Sequence, residues 1–491
     1  MRCMILERVF AAALLWAIPG GAAVYEITAY GAQGDRSTNN AAAIQKAIDA
    51  ASSAGGGYVQ VPRGDFLTGT IVLKSNVILR LAPGATLWGS RRIEDYAPQH
   101  LIYARDAENI GIEGPGTING QGEAFWTKDF KPLKRPSPLI ELVGCRNVRI
   151  QNVALRNAPG WTIRPKNCDG VLIRGITLVN NMRGLNTDGI DPDSSRNVII
   201  SDSYLEAGDD CIVLKTTRRD AGPVLPCENV TVTNCVLVSS ASALKLGTES
   251  HADFRHVVFS NCVIRGSRTG LAIFAKDGAT FENVSFSNIT IQTAPKFGVG
   301  HEWPIIVDLE KRAPDSRLSR VRNVSFNDIF IESKGRVLVS GLPERPIEDV
   351  AFRNVTMRVV GFEPVEKADK PRGGTSQPVP PGLDFSKVPA AFIFAHARNL
   401  TLRDVRVQWD GGEPAPERHA LSFAHVDGVS LSGFFGRQAA PGGKLAAISF
   451  VASRSLLVTG SIAETGTGTF VSGPREELLL QGNDLRRAKA Q

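Results

Sequence analysis

Arg146-Asn147-Val148-Arg149-Ile150-Gln151-Asn152-Val153-Ala154-Leu155 is the stretch on which the fold turns. Polar and apolar residues alternate through it, which puts every second side chain on one face of an extended strand. The pattern returns around Val171, Val198, Val230, Val257, Val284, Val324, Val350, Leu400, Val429, Leu456 and Leu478. The first five steps between these positions are 23, 27, 32, 27 and 27 residues. A short β unit repeated at that spacing buries its apolar side only against its neighbours, which is the logic of a solenoid. Leucine-rich repeats have a similar period, but their helical segment and Leu-rich frame are missing. Propeller blades are longer, at about 40 residues or more. The chain is therefore expected to be all-β, a single-stranded right-handed parallel β-helix.

An open solenoid end exposes strand edges and has to be covered. Ile44, Ala47, Ile48 and Ala51 recur at helical spacing after the turn at 34–38, and Gly55-Gly56-Gly57 stops the run. This predicts an N-terminal capping helix. Clustered Pro and Gly at 361–388, Pro378, Pro380 and Pro381 among them, break the strand rhythm, which resumes at Phe392. That stretch reads as a loop insertion. One catalytic domain over 24–491 is expected, with β-helical coils continuing through 389–491.

The 491 residues are 43% hydrophobic and 21% charged, with a net charge of +7. These values exclude disordered, collagen-like and multi-span membrane chains. A charge that small and that dispersed gives no concentrated patch for nucleic acid. Met1 to Arg8 carry a basic start, Val9 to Ile18 are apolar, and Gly21-Ala22-Ala23 are small. This describes a signal peptide over 1–23, too short to span a bilayer. A secreted or periplasmic, monomeric protein without a membrane span is expected. Cys145, Cys168, Cys211, Cys227, Cys235 and Cys262 would remain after cleavage. Cys145, Cys168, Cys235 and Cys262 occupy similar places in the repeat and read as small apolar core residues; Cys211 is the candidate for a bridge. No Cys/His spacing suggests zinc, and no metal or cofactor is expected.

The densest acidic stretch is Asn186-Thr187-Asp188-Gly189-Ile190-Asp191-Pro192-Asp193, followed by Gly208-Asp209-Asp210-Cys211. Asp188 and Asp209 lie 21 residues apart, close to one coil. Residues one coil apart stack on adjacent strands, roughly 4.8 Å away. Asp188, Asp209 and Asp210 are thus expected on one patch, where mutual repulsion leaves a proton on one carboxyl. An acid beside an ionised carboxylate is what cleavage of a glycosidic bond requires. Asp191 and Asp193, flanking Pro192, read instead as turn formers and strand caps.

These motifs resemble glycoside hydrolase family 28, the polygalacturonase and rhamnogalacturonan hydrolase group. Gly120-Gln121-Gly122, Trp126 and Asn157-Ala158-Pro159-Gly160-Trp161-Thr162-Ile163 add to the likeness, which runs over about 25–360. The resemblance implies an inverting hydrolase of a pectic polysaccharide or oligosaccharide. Asp209 would be the general acid, with Asp188 and Asp210 holding and activating water across the roughly 6.5–9.5 Å that inversion leaves for it. Two positions depart from the family pattern. Ser242 stands where polygalacturonases carry the His of Gly-His-Gly, and Ala272-Ile273-Phe274 stands where they carry Arg-Ile-Lys. The departures point away from simple endo action, toward an exo-acting enzyme or a rhamnogalacturonan-type substrate.

Replacement substrate contacts are sought in Lys215 and Lys245, with Asn186, Arg164, Lys276 and His251 beside them. An ammonium there would meet a uronate carboxylate. Trp161 would stack on a sugar face. Two rivals remain at this point. A β-helical polysaccharide lyase would need calcium, for which Asp191, Asp193 and Glu206 are the ligands to suspect. A carbohydrate-binding solenoid without catalysis would use the long flat surface alone.

Overall fold

The computed structural model describes residues 23–218, 223–297, 300–363, 384–412, 414–486 and 488–490. The expected signal peptide lies outside them apart from Ala23, as does most of the 361–388 insertion. Within them the chain winds as a parallel β-helix. One side is a sheet of 26 described strands, and the other carries ladders of four and ten. The repeat positions read from sequence stack directly. Val148, Val171, Val198, Val230, Val257, Val284, Val324 and Val350 pair in succession. Val429, Leu456 and Leu478 continue the row from Leu400.

Inside the coils the alternating aliphatic side chains are buried, and aromatic rings stack on the same spacing. Phe259, Phe286, Phe326 and Phe352 form one column with ring centroids 5.0, 5.1 and 4.6 Å apart. Offset stacking adds to the area buried. Helix α1 (Ala41–Ser53) forms as the spacing predicts, with Ile44, Ala47, Ile48 and Ala51 all at 0% exposure. It packs on the first strands and closes that end of the core.

Most coils from Asn109 onward bend at two left-handed residues five positions apart. Asn147 and Asn152 are one pair, Asn283 and Asn288 another, and Gly170 and Gly175 fill the same places elsewhere. Asn tolerates a positive φ better than other side chains, and Gly best of all. The Asn amides also bond from coil to coil: Asn147 Nδ2 donates to Asn109 Oδ1 at 3.1 Å, and Asn323 Nδ2 to Asn283 Oδ1 at 2.6 Å.

On the opposite wall run β1 (Ile140–Val143), β2 (Ile163–Lys166), β3 (Ile212–Thr216), β4 (Ser242–Ser250), β5 (Thr269–Ala275) and β6 (Trp303–Leu309). The ladder is interrupted between β2 and β3. There the coil made by 186–195 joins only through isolated bridges, Ile163 to Ile190 to Ile212 and Lys166 to Asp193 to Lys215. Pro192 in that coil has no N–H to give.

The six cysteines among the described residues are buried free thiols. The bridge expected from Cys211 is not formed; its Sγ donates to the Val238 carbonyl at 3.1 Å. The apolar-packing reading thus extends to this residue.

Asn283→Val should lower stability by about 1–3 kcal/mol, because a β-branched residue is strained at a positive φ. Asn283→Gly should stay near the parent. Denaturant midpoints of the two variants check this.

Candidate active site

The interrupted coil carries the acidic site. Asp188 is held by its own carbonyl, which accepts from the Thr162 N–H at 3.0 Å and from Thr162 Oγ1 at 2.8 Å. Asn180 Nδ2 donates to Thr162 Oγ1 at 2.8 Å and to the Thr187 carbonyl at 3.2 Å. Two glycines of the motifs let backbones approach closely. A Cβ on Gly189 would stand 2.4 Å from the Cys211 carbonyl, and one on Gly208 the same distance from the Asn181 carbonyl. One coil on, the Asp209 carbonyl accepts from Ser239 Oγ at 2.6 Å.

This scaffold brings Asp188, Asp209 and Asp210 together as the spacing predicts, with one oxygen from each within 4.8 Å of the others. The gap is narrower than the separation expected for an acid and base facing across a water. The cause is simple: Asp188 lies a single layer from Asp209 and Asp210. Asp188 and Asp210 are buried and Asp209 is partly open. Two lysines face the group. Lys245 Nζ is 2.7 Å from Asp210 Oδ2, and Lys215 Nζ is 3.3 Å from both Asp188 and Asp191. A cation seated on the three oxygens would have to compete with these ammonium groups.

The environment separates their protonation. Burial, with the charges of Asp188 and Asp210 beside it, pushes Asp209 up to about 7. Burial also lifts Asp188 well above the usual range, against the pull of Lys215. For Asp210 burial acts in the same direction, but Lys245 and Lys215 outweigh it. With hydrogen bonds from Lys245 and Ser242 they hold it below the ordinary value. Burial disfavours the Lys215 ammonium, yet Asp188, Asp191, Glu249 and Asp210 keep it above a normal lysine.

Asp191 and Asp193 are not turn formers. Both are 0% exposed. Asp193 receives Arg164 Nη2 at 2.5 Å and Thr217 Oγ1 at 2.7 Å. Burial lifts Asp191 to about 7. Their alternation with Pro192 points them outward from the wall into a layer of buried charge, which the turn statistics of Asp and Pro concealed.

The remaining candidates divide. Asn186 Nδ2 reaches Asp209 Oδ2 at 3.4 Å. Trp161 lies under the Lys215 ammonium, 4.0 Å from its ring centre. Arg164 lines the cavity beside the carboxylates but is also tied to Glu141 at 3.3 Å. Lys276, wholly buried, is paired with Glu310 at 2.7 Å. His251 faces Asp277 at 3.9 Å, in the surroundings of Arg312 and Glu249, so the structure does not bring it to the three carboxylates. Ser242 replaces an imidazole with a backbone contact, its N–H donating to Asp210 Oδ1 at 3.0 Å.

The cavity, of about 320 Å³, is lined by His100, Arg135, Ser137, Glu141, Trp161 and Asn186 among others. Arg135 was not visible as a site residue in the sequence. It donates to the carbonyls of Pro159 and Leu185, both at 2.9 Å, and to Asn186 Oδ1 at 3.3 Å. It belongs to no repeat, and only the loop's path brings it beside Asn186.

Fold and site together define a β-helical protein with a cluster of carboxylates and lysines on its outer wall. The family model for glycosyl hydrolases family 28 matches residues 52–371, and the chain belongs to that family. A probable polygalacturonase of Vitis vinifera is 33% identical over 255 residues, covering 46% of this chain and 52% of that protein. An exo-poly-alpha-D-galacturonosidase of Dickeya chrysanthemi is 28% identical over 292 residues, 47% of this chain and 48% of that protein. The chain thus spans about half the length of these relatives. The solved structure of a hyperthermoactive exopolygalacturonase from Thermotoga maritima shares the fold, with a TM-score of 0.64 at 23% identity over 79% of this chain and 92% of that one.

Lys215→Met should cost about 3–5 kcal/mol at neutral pH, since it strands buried carboxylates; thermal or urea unfolding reads this. Asp191 binds its proton more tightly folded, at about 7, than unfolded, near 3.8. The folded chain therefore holds the extra proton between those values, and stability falls as pH rises through that window. Asp191→Asn should flatten this part of the stability–pH curve.

Proposed function

We propose that this chain is an inverting glycoside hydrolase that cleaves a pectic polysaccharide or oligosaccharide. The observation that carries the reading is the convergence of three carboxylates within 4.8 Å, with Lys245 paired to Asp210 and Lys215 to Asp188. Asp209, raised to about 7, is the general acid that protonates the leaving oxygen. Asp210, kept ionised, takes the proton from the attacking water, and Asp188 orients that water. Family membership supports inversion, with the water held beside the three oxygens rather than in a wide gap between them. A lyase reading is disfavoured by the same membership and by the lysines already occupying the carboxylates.

Asn186, Trp161 and Arg164 are proposed to contact sugar in the cavity, with Lys215 and Lys245 supplying positive potential from beneath the carboxylates. Lys276, buried against Glu310, and His251, turned to Asp277, are not part of that set. Exo action, or a rhamnogalacturonan-type substrate, fits Ser242 and Ala272-Ile273-Phe274 in the places of the familiar substrate grip. The name of the Dickeya relative supports the former. The signal-like N-terminus supports export, and among the described residues no helix is long and apolar enough to cross a membrane.

Incubation with homogalacturonan, rhamnogalacturonan and their oligosaccharides, followed by product analysis, tests the function. Asp209→Asn should lose about 10²–10⁴-fold in rate. Activity of the parent should decline as pH rises through about 7, where Asp209 gives up its proton. Proton NMR of the first product should show the inverted anomer, with no ultraviolet-absorbing unsaturated sugar and no loss in chelator. A variant that releases reducing ends like the parent would overturn the assignment of Asp209.

A further inference from the structure

The geometry points to Lys245 as a positioning residue that fixes Asp210 as the ionised member of the carboxylate group, rather than as a grip for substrate carboxylates. This rests on the reading of Asp210 as the group that activates water. Both Asp210 oxygens are engaged from β4: Oδ2 by Lys245 Nζ at 2.7 Å and Oδ1 by the Ser242 N–H at 3.0 Å. Because Ser242 and Lys245 lie on one strand, the strand itself sets the angle of the carboxylate.

The surroundings explain why the pair stays together. The Lys245 side chain is 12% exposed. Its backbone neighbour on β5 is Ala272, and the Phe274 ring centre lies 5.5 Å from the ammonium. Ala272 and the Phe274 ring thus help wall the pair from water, where a charge-assisted bond is strongest. The ammonium spends its shortest contact on Asp210, which leaves it a poor hook for a second anion.

The charges facing Asp210 come from three elements. Asp188 and Asp191 approach from the interrupted coil, Asp209 from the preceding residue, and Lys215 from β3. Each of the three carboxyls, once ionised, favours a proton on Asp210. Lys215 is shared among Asp188, Asp191 and Glu249, at 3.3, 3.3 and 3.8 Å. Among the described residues Lys245 is the cation that forms an ion pair with Asp210. Without it, Lys215, already shared among three carboxyls, would alone oppose the burial of Asp210, and Asp210 would hold its proton to a higher pH.

The test is the acid limb of the pH–rate profile, measured on a uronate oligosaccharide. Lys245→Met should move that limb upward by about one to three pH units, the effect of losing a close opposite charge. KM should stay within about twofold, and the rate should recover toward the parent as pH rises. Lys245→Arg should keep the limb near its parent position. A limb that does not move, or a tenfold rise in KM with the limb unmoved, makes Lys245 a substrate contact and overturns the proposal. Carbon-13 NMR titration of the Asp210 carboxyl in the parent and in Lys245→Gln gives the same answer without turnover. A parent Asp210 that titrates above the ordinary carboxylate range also overturns it. Asp210→Asn separates the underlying reading: near-parent rates there would refute water activation by Asp210 whatever Lys245 does.

Discussion

Backbone hydrogen bonds made in register between successive coils are the constraint on which the rest of this structure depends. A parallel ladder puts like residues above one another, so each coil must repeat the chemistry of the last at every inward position. Valine on valine and phenylalanine on phenylalanine follow from that rule. So do the asparagine corners, where a left-handed residue turns the chain and its amide ties the turn to the next one. A slip of one residue would turn the aliphatic face outward along the whole strand.

The same rule makes the acidic site expensive and gives it its character. Stacking a carboxylate one layer from two others concentrates charge where water is scarce. The protein answers with two lysines, one set beneath Asp188 and Asp191 and the other against Asp210. Since two cations face four close carboxylates, the cluster retains protons near neutrality, and the uneven placing of the lysines decides which carboxyls keep them. The break in the ladder at 186–195 fits this view. A regular strand would have fixed Asp188 by its pleat, whereas the irregular coil is positioned by Thr162 and Asn180.

Much of this was legible in the sequence. Period-two alternation gave strands, the recurring aliphatics gave the coils, and the spacing of Ile44, Ala47, Ile48 and Ala51 gave the cap. The 21-residue separation brought Asp188 to Asp209 before any coordinates. What stayed hidden depended on direction and partners. Asp191 and Asp193 resembled turn residues because their short polar side chains suit both roles, and only the outward alternation around Pro192 distinguishes them. Lys215 and Lys245 were correctly placed near the carboxylates, but spacing does not tell whether an ammonium faces a cleft or a carboxylate. Arg135 lies outside every repeat, and His251, just past the end of β4, turns toward Asp277. The Asn and Gly corners were visible as polar punctuation without their positive φ.

The stacked row from Val148 onward has a consequence for how such a chain can change. Between Val198 and Val230 the path is longer than between Val171 and Val198, yet both steps end in the same register. Still more chain intervenes between Val284 and Val324, and the pairing there is continuous through Phe281, Phe286 and Ile291. The solenoid therefore keeps two separate records: an invariant address for each inward residue, and a variable length of excursion between addresses. New surface can be spliced into an excursion without rewriting any address, so the rim of the cleft is free to diverge while the carboxylates beneath it keep their places.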